Sequence, residues 1–183
     1  ITPRLNGLKY FEKPVWQYWV TAAAYTVFGE APWTARLWTG LTGLLSILGT
    51  GWFASRLYGT RVGYLAATAL SGSLLWVMMG QVLTLDMGVS FLLNAAVFAL
   101  ILGQQESRLA QQRYWMLLAW AMLALAVLSK GLIGLVLPGG ALVVYSLWYR
   151  DWSIWRRMYW LPGLCLFALI TVPWFVLVSQ ANP

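Results

Sequence analysis

Long uncharged runs separated by short charged connections dominate the chain. After a polar, turn-like stretch from Ile1 to Lys13 punctuated by Pro3, Asn6 and Gly7, Pro14 opens a run of 16 uncharged residues to Gly29. At 1.5 Å per helical residue this run reaches only ~24 Å against a hydrocarbon core of ~30 Å. Because it also carries Gln17, Thr21 and Thr26, it predicts a helix at residues 14–29 that lies in the membrane interface. Six further runs, at about Leu37–Ser55, Val62–Leu83, Met87–Gly103, Tyr114–Ser129, Leu132–Tyr149 and Met158–Ser179, are long enough, or nearly so, to cross. The expected class is therefore all-α: a polytopic integral membrane helix bundle of about six transmembrane helices plus one extracytoplasmic interfacial helix.

Composition agrees. The 183 residues are 61% hydrophobic and 9% charged, beyond the apolar share of about 45–50% usual for soluble domains. The 13 tryptophans suit a membrane boundary, where an indole keeps one edge dry and one wet. Small residues such as Gly40, Gly43 and Gly51 predict close helix contacts, and Pro138 and Pro173 predict kinks. The absence of histidine removes a Ser-His-Asp triad and any His-containing metal site from this chain. Cys165 is alone, so no internal disulfide forms. Because the chain opens on Ile1 with no signal region, a piece of a longer protein is expected.

Charge assigns sides. Arg56, Arg61, Arg108, Arg113, Arg150, Arg156 and Arg157 fall in alternate connections, whereas the others between spans hold Asp86 and Lys130. Basic loops stay in the cytoplasm, so the net charge of +7 reads as topology and not as nucleic-acid binding. The segment KYFEKPVWQYW (Lys9–Trp19), the Thr84–Asp86 turn, the Lys130–Gly131 turn and the chain's end then face the extracytoplasmic side.

The chemistry concentrates there. Lys13 precedes a proline and is pushed out of helical geometry, while Pro14 suits a first helical position. The free N–H groups of that helix and the Lys13 ammonium would together attract an anion such as phosphate, and Glu12 beside them calls for a compensating cation. Lys9 and Lys13 are equally readable as headgroup anchors. Asp86 is either a helix N-terminal carboxylate or a cavity-lining acceptor, and Lys130 either an interfacial anchor or a cation facing a buried anion. Gly131 lets the chain turn after it.

The ordered segments TPRLNGLKYFEKP, RLWTGLTG, LTLDMG, LSKGLIGLVLPG and VPWFVLVSQANP resemble the bacterial lipid A 4-amino-4-deoxy-L-arabinose transferase family. That family belongs among the dolichyl-phosphate-mannose protein mannosyltransferase-like membrane glycosyltransferases of GT-C fold. The resemblance implies a multi-pass inner-membrane enzyme moving a sugar from a polyprenyl-phosphate carrier to lipid A or a protein on the periplasmic side. Carried over by motif, Lys13, Lys130, Tyr10 and Lys9 would bind the carrier and its phosphate, Glu12 would hold a divalent metal, and Asp86 would contact sugar or acceptor, with a possible catalytic part. The family's acidic catalytic motif is expected before Ile1, its metal-binding histidine beyond Pro183, and a first span and a C-terminal soluble domain outside the chain. Val15 stands where a second proline is usual. A transporter or lipid flippase is the rival class, and its mark would be an ionisable group within a span, which this sequence lacks. A non-catalytic scaffold would have no reason to hold Glu12, Lys13, Asp86 and Lys130 on one side.

Overall fold

The computed structural model describes the backbone of Arg4–Leu5 and Leu8–Lys9 and, in full, residues 13–182. The first described residues form an antiparallel ribbon, β1 (Arg4–Leu5) against β2 (Leu8–Lys9), with Arg4 opposite Lys9. Nine helices follow among the described residues: α1 (Trp16–Phe28), α2 (Pro32–Tyr58), α3 (Thr60–Ser71), α4 (Leu74–Met79), α5 (Asp86–Gln105), α6 (Leu109–Lys130), α7 (Ile133–Tyr149), α8 (Ser153–Arg156) and α9 (Trp160–Ala181). Of these α2, α5, α6 and α9 are long and apolar enough to cross a membrane. The 17-residue α7 reaches ~25 Å.

Three boundaries differ from the sequence expectation. The interfacial helix opens at Trp16, not at Pro14, so the proline precedes the first turn instead of forming it. The second run is not one continuous helix: α3 stops at Ser71 and α4 starts at Leu74. Ser71–Gly72–Ser73 explains the break, since glycine is costly within a helix and serine offers the backbone competing hydrogen bonds. Ser71 Oγ donates to the Thr68 carbonyl at 2.9 Å, while Ser73 is extended at φ −71°, ψ 112°. Finally, α2 begins ahead of Leu37, with Pro32 in its first turn and Thr34 as an inverted cap. Thr34 Oγ1 accepts from the Ala31 N–H at 2.9 Å and lies 2.9 Å from the Gly29 carbonyl oxygen, to which it donates.

The described helices divide into two compact units, Gln17–Asn94 and the part from Ala95 onward together with the segment ending at Trp16. In the first unit the usual pattern is inverted. α2 buries Thr39, Thr42, Gly43, Ser46 and Gly51 and exposes Leu41, Leu44, Leu48 and Trp52. Lipid is as apolar as leucine, so helices gain most from close backbone approach through small residues, as the glycines predict. Thr42 and Ser46 pay no burial penalty because they donate back to the carbonyls of Trp38 and Thr42, each at 2.8 Å.

The partner face of α2 is the broken pair. A Cβ on Gly51 would lie 2.9 Å from Ala67 Cβ, and one on Gly43 would lie 3.7 Å from Gly80 Cα. Trp76 Nε1 donates to the Gly43 carbonyl at 3.2 Å. Thus α3 and α4 together retrace α2 from its end to Gly40, and the two pieces do the work of the single run read from the sequence.

In the second unit α6 is the buried element, with Met116, Ala119, Trp120, Leu123, Ala124, Ala126, Val127 and Leu128 all enclosed. Gly134 brings α7 against the Ala126 backbone, where an added Cβ would come within 2.7 Å. Gly163 seats α9 under the Trp120 indole. Helices α7 and α9 run through Pro138 and Pro173 as single elements, so neither proline ends its helix.

Candidate functional site

Two of the lysines singled out in the sequence, Lys13 and Lys130, are placed by packing at the entry to α1. Val15 is 3% exposed and packs with Leu128 of α6 and Trp174 of α9, flanked by Trp16, Ile170 and Val178. Lys13 lies two residues before Val15, and Lys130 two residues after Leu128. The packing of three apolar side chains therefore brings both lysines to one end of the same unit, each half-buried. Gly131, at φ 80°, turns the chain directly after Lys130 and donates its N–H to the Val127 carbonyl at 2.8 Å. That glycine sets where the lysine leaves the helix.

Two buried polar atoms mark the same end. Ser129 is fully enclosed and Trp174 is 6% exposed, yet neither Ser129 Oγ nor Trp174 Nε1 has a hydrogen-bond partner. Ser129 departs from the habit of this chain, where the hydroxyls of Thr26, Thr42, Ser46, Ser55 and Thr171 bond back to a carbonyl four residues earlier. Unmade buried hydrogen bonds cost ~1–3 kcal/mol each and collect where a structure keeps donors for something else.

The opposite end of this unit is basic in another way. Arg157 donates Nη1 to the Gln104 carbonyl at 2.6 Å and Nη2 to the Glu106 carbonyl at 3.0 Å, covering acceptors that the end of α5 leaves open. Gln104 Nε2 returns a bond to the Ile154 carbonyl at 2.9 Å. Arg108 and Arg113 at the start of α6, and Arg150 and Arg156 around α8, stand at this end too. Arginines at one end and Lys13 and Lys130 at the other are the distribution that the alternating loops implied. The arginines are more than topology markers, however. Arg157 holds α5 to the connection before α9, which its place in a basic loop did not reveal.

Asp86 lies in the other unit, where it opens α5 as the acidic group of the first turn. Glycine spacing sets its place: Gly88 lies against the Trp38 indole, and Met87 against Gly43 and Gly80. Asp86 therefore sits at the end of its unit where α2 begins. Arg36, exposed near the start of α2, is at this end as well. Arg36 belongs to the RLWTGLTG segment, and its closeness to the helix start was the signal that could have singled it out. Thr39 Oγ1, fully buried, and Thr84 Oγ1 are unpartnered here. Lys9 is placed by backbone only, in β2. Tyr10 and Glu12 lie outside the described residues. Among the described residues no group of three or more His, Cys, Asp or Glu comes together, so they do not form a metal centre by themselves.

Comparison with known proteins gives this arrangement its context. The family described as dolichyl-phosphate-mannose-protein mannosyltransferase matches residues 12–176. The chain is 31% identical to the undecaprenyl phosphate-alpha-4-amino-4-deoxy-L-arabinose arabinosyl transferase of Erwinia tasmaniensis, covering 100% of this chain and 33% of the relative. It is also 31% identical to the protein of that name from Aeromonas salmonicida, covering 100% of this chain and 34% of the relative. The chain thus spans about a third of the length of these curated relatives. Crystal structures of ArnT from Cupriavidus metallidurans, in the apo state and bound to undecaprenyl phosphate, each superpose over 100% of this chain and 34% of theirs, with TM-score 0.97 and 42% identity. The all-α, polytopic fold and the resemblance drawn from the ordered motifs are both borne out, and the chain belongs to the dolichyl-phosphate-mannose-protein mannosyltransferase family.

Proposed function

We propose that this chain is the carrier-binding part of an integral-membrane glycosyltransferase. The whole enzyme moves a sugar from a polyprenyl-phosphate carrier to an extracytoplasmic acceptor such as lipid A or a protein, in the bacterial inner membrane. The observation that carries the reading is the Val15–Leu128–Trp174 packing, which holds Lys13 and Lys130 at one end of one unit. One relative of matching fold binds undecaprenyl phosphate, and such a ligand presents a phosphate at the membrane surface with its chain in the lipid.

In this mechanism an acceptor oxygen bonds to the sugar carbon as the bond from that carbon to the carrier phosphate breaks; any acceptor proton passes to a base and negative charge leaves with the phosphate. Lys13 and Lys130 stabilise that charge by fixed electrostatics in a poorly hydrated site. Tyr10 and Lys9 complete the carrier-binding edge. Asp86 serves the sugar or acceptor side, and the base that prepares the acceptor comes from chain beyond these residues. Glu12 is the carboxylate offered to a divalent ion, and the charge stabilisation by the lysines does not depend on it. The extracytoplasmic side follows from the arginines at the opposite end.

Full-length protein in liposomes, given a labelled polyprenyl-phosphate sugar and lipid A, tests the reading. Label covalently attached to lipid A supports transfer. Movement of labelled carrier between leaflets with no sugar transferred would instead identify the rival class, a flippase.

A further inference from the structure

The elbow between α7 and α9 is more tightly built than a topological loop requires. Its two ends are the only non-glycine positive-φ positions among the described residues, Arg150 at φ 53° and Tyr159 at φ 49°, a backbone region that side chains disfavour. Trp152 and Trp155 between them, and Trp160 directly after, form a file of indoles. Trp152 and Trp155 stack at 6.2 Å and 29°, and Trp155 and Trp160 at 5.8 Å and 4°.

The indole donors of Trp155 and Trp160, and that of Trp120 beneath the elbow, are used. Trp155 Nε1 donates to Ser146 Oγ at 2.8 Å, Trp160 Nε1 to the Trp155 carbonyl at 2.8 Å, and Trp120 Nε1 to the Met158 carbonyl at 2.9 Å. Arg157 is committed to α5. Asp151, the one acid here, turns its carboxylate to the Ser153 N–H at 2.9 Å. What remains on the surface is Arg150, Trp152 and Arg156, all exposed, none with a carboxylate partner among the described residues. The neighbouring end of α7 shows Trp148 at 81% and Tyr149 at 66% exposed, an aromatic girdle of the kind that sits at headgroup level.

We propose that Arg150, Trp152 and Arg156 form a binding site for the headgroup of an anionic phospholipid of the cytoplasmic leaflet. The lipid's phosphate meets the two guanidinium groups, and its glycerol and upper acyl chain lie along the exposed indole. Guanidinium matches phosphate with paired N–H donors, the cytoplasmic leaflet carries the acidic lipids, and a pre-formed elbow spends little on ordering the backbone. The site rests on the sidedness proposed above but not on the transfer chemistry.

The test is thermal unfolding of the full-length protein in neutral detergent, titrated separately with phosphatidylglycerol, phosphatidylcholine, inorganic phosphate and undecaprenyl phosphate. Phosphatidylglycerol should raise the midpoint and phosphatidylcholine and inorganic phosphate should not. The double variant R150Q/R156Q should need about tenfold more phosphatidylglycerol for the same shift while keeping its response to undecaprenyl phosphate. The double variant R150K/R156K, which keeps the charge, should fall between, and it reads out the site if the glutamine variant does not fold. Equal phosphatidylglycerol responses in wild type and both variants, or equal shifts from phosphatidylglycerol and phosphatidylcholine, would overturn the site. A shift of the same size from inorganic phosphate would make it a bare anion site and overturn the lipid assignment. Loss of the undecaprenyl phosphate response in the wild type would count against the transferase reading alone.

Discussion

Val15 packs against Leu128, and each is two residues from a lysine: Lys13 on one side and Lys130 on the other. Lysines 117 positions apart in sequence are thereby tied through an apolar contact whose own side chains carry no chemistry. Leu128 is 1% exposed, so Leu128→Ala leaves a cavity. The cost is expected near ~2 kcal/mol, the low end for such a truncation, because lipid supplies less driving force than water. Thermal unfolding should show that loss, and transfer should fall further than the stability change accounts for, because the two lysines lose their common support.

Gly163→Ala should destabilise by ~1–3 kcal/mol through overpacking, since the new methyl group runs into the Trp120 indole. Trp120 is the donor to the Met158 carbonyl, so tryptophan fluorescence should change with the same variant. Gly139→Ala, where an added Cβ meets nothing within 4 Å, is the control and should leave the midpoint unchanged or slightly raised.

Neighbouring arginines should behave differently. Arg157→Gln removes the bonds to the Gln104 and Glu106 carbonyls and should cost ~1 kcal/mol. Arg156→Gln, in lipid-free detergent, should cost almost nothing. Unfolding midpoints measured side by side check the pair, and equal losses would count against the clamp.

Asp151 supplies a pH dependence. Hydrogen bonds from Ser153 hold its carboxyl below the ordinary value of 3.8. A depressed carboxyl stabilises the fold above its unfolded pKa, and that contribution disappears as pH falls through the folded one. The difference in unfolding midpoint between wild type and Asp151→Ala should therefore be constant at neutral pH and shrink only in acid, below the ordinary carboxylate range.

Much of this architecture was legible in the sequence because membrane spans are written in long uncharged runs. The glycines of α2 announced its packing face. The helix break at Gly72 was not read, since an apolar run gives no measure of where a Ser-Gly-Ser triplet interrupts the hydrogen-bond ladder. The start of α1 lies two residues beyond the place that proline's preference for a first helical position implies, and the intervening Val15 is buried by packing. For the proposed site, residue pattern and motif single out the lysines, but the packing that places them is not legible in the sequence. Val15, Leu128 and Trp174 look like any other apolar residues in a membrane helix, and only tertiary contact distinguishes them. Arg157 is hidden in another way: as one of several arginines that mark topology, it gives no sign in the sequence of clamping the end of α5.

The most direct measurement is a double-mutant cycle in the full-length protein with Lys13→Ala, Lys130→Ala and both, assayed as kcat/KM for transfer from the polyprenyl-phosphate sugar. If the two ammonium groups share one phosphate, each single variant should lose at least about tenfold, and the double variant should lose clearly less than the product of the two. Unchanged rates in either single variant, or losses that multiply exactly as for independent sites, would contradict the shared phosphate grip.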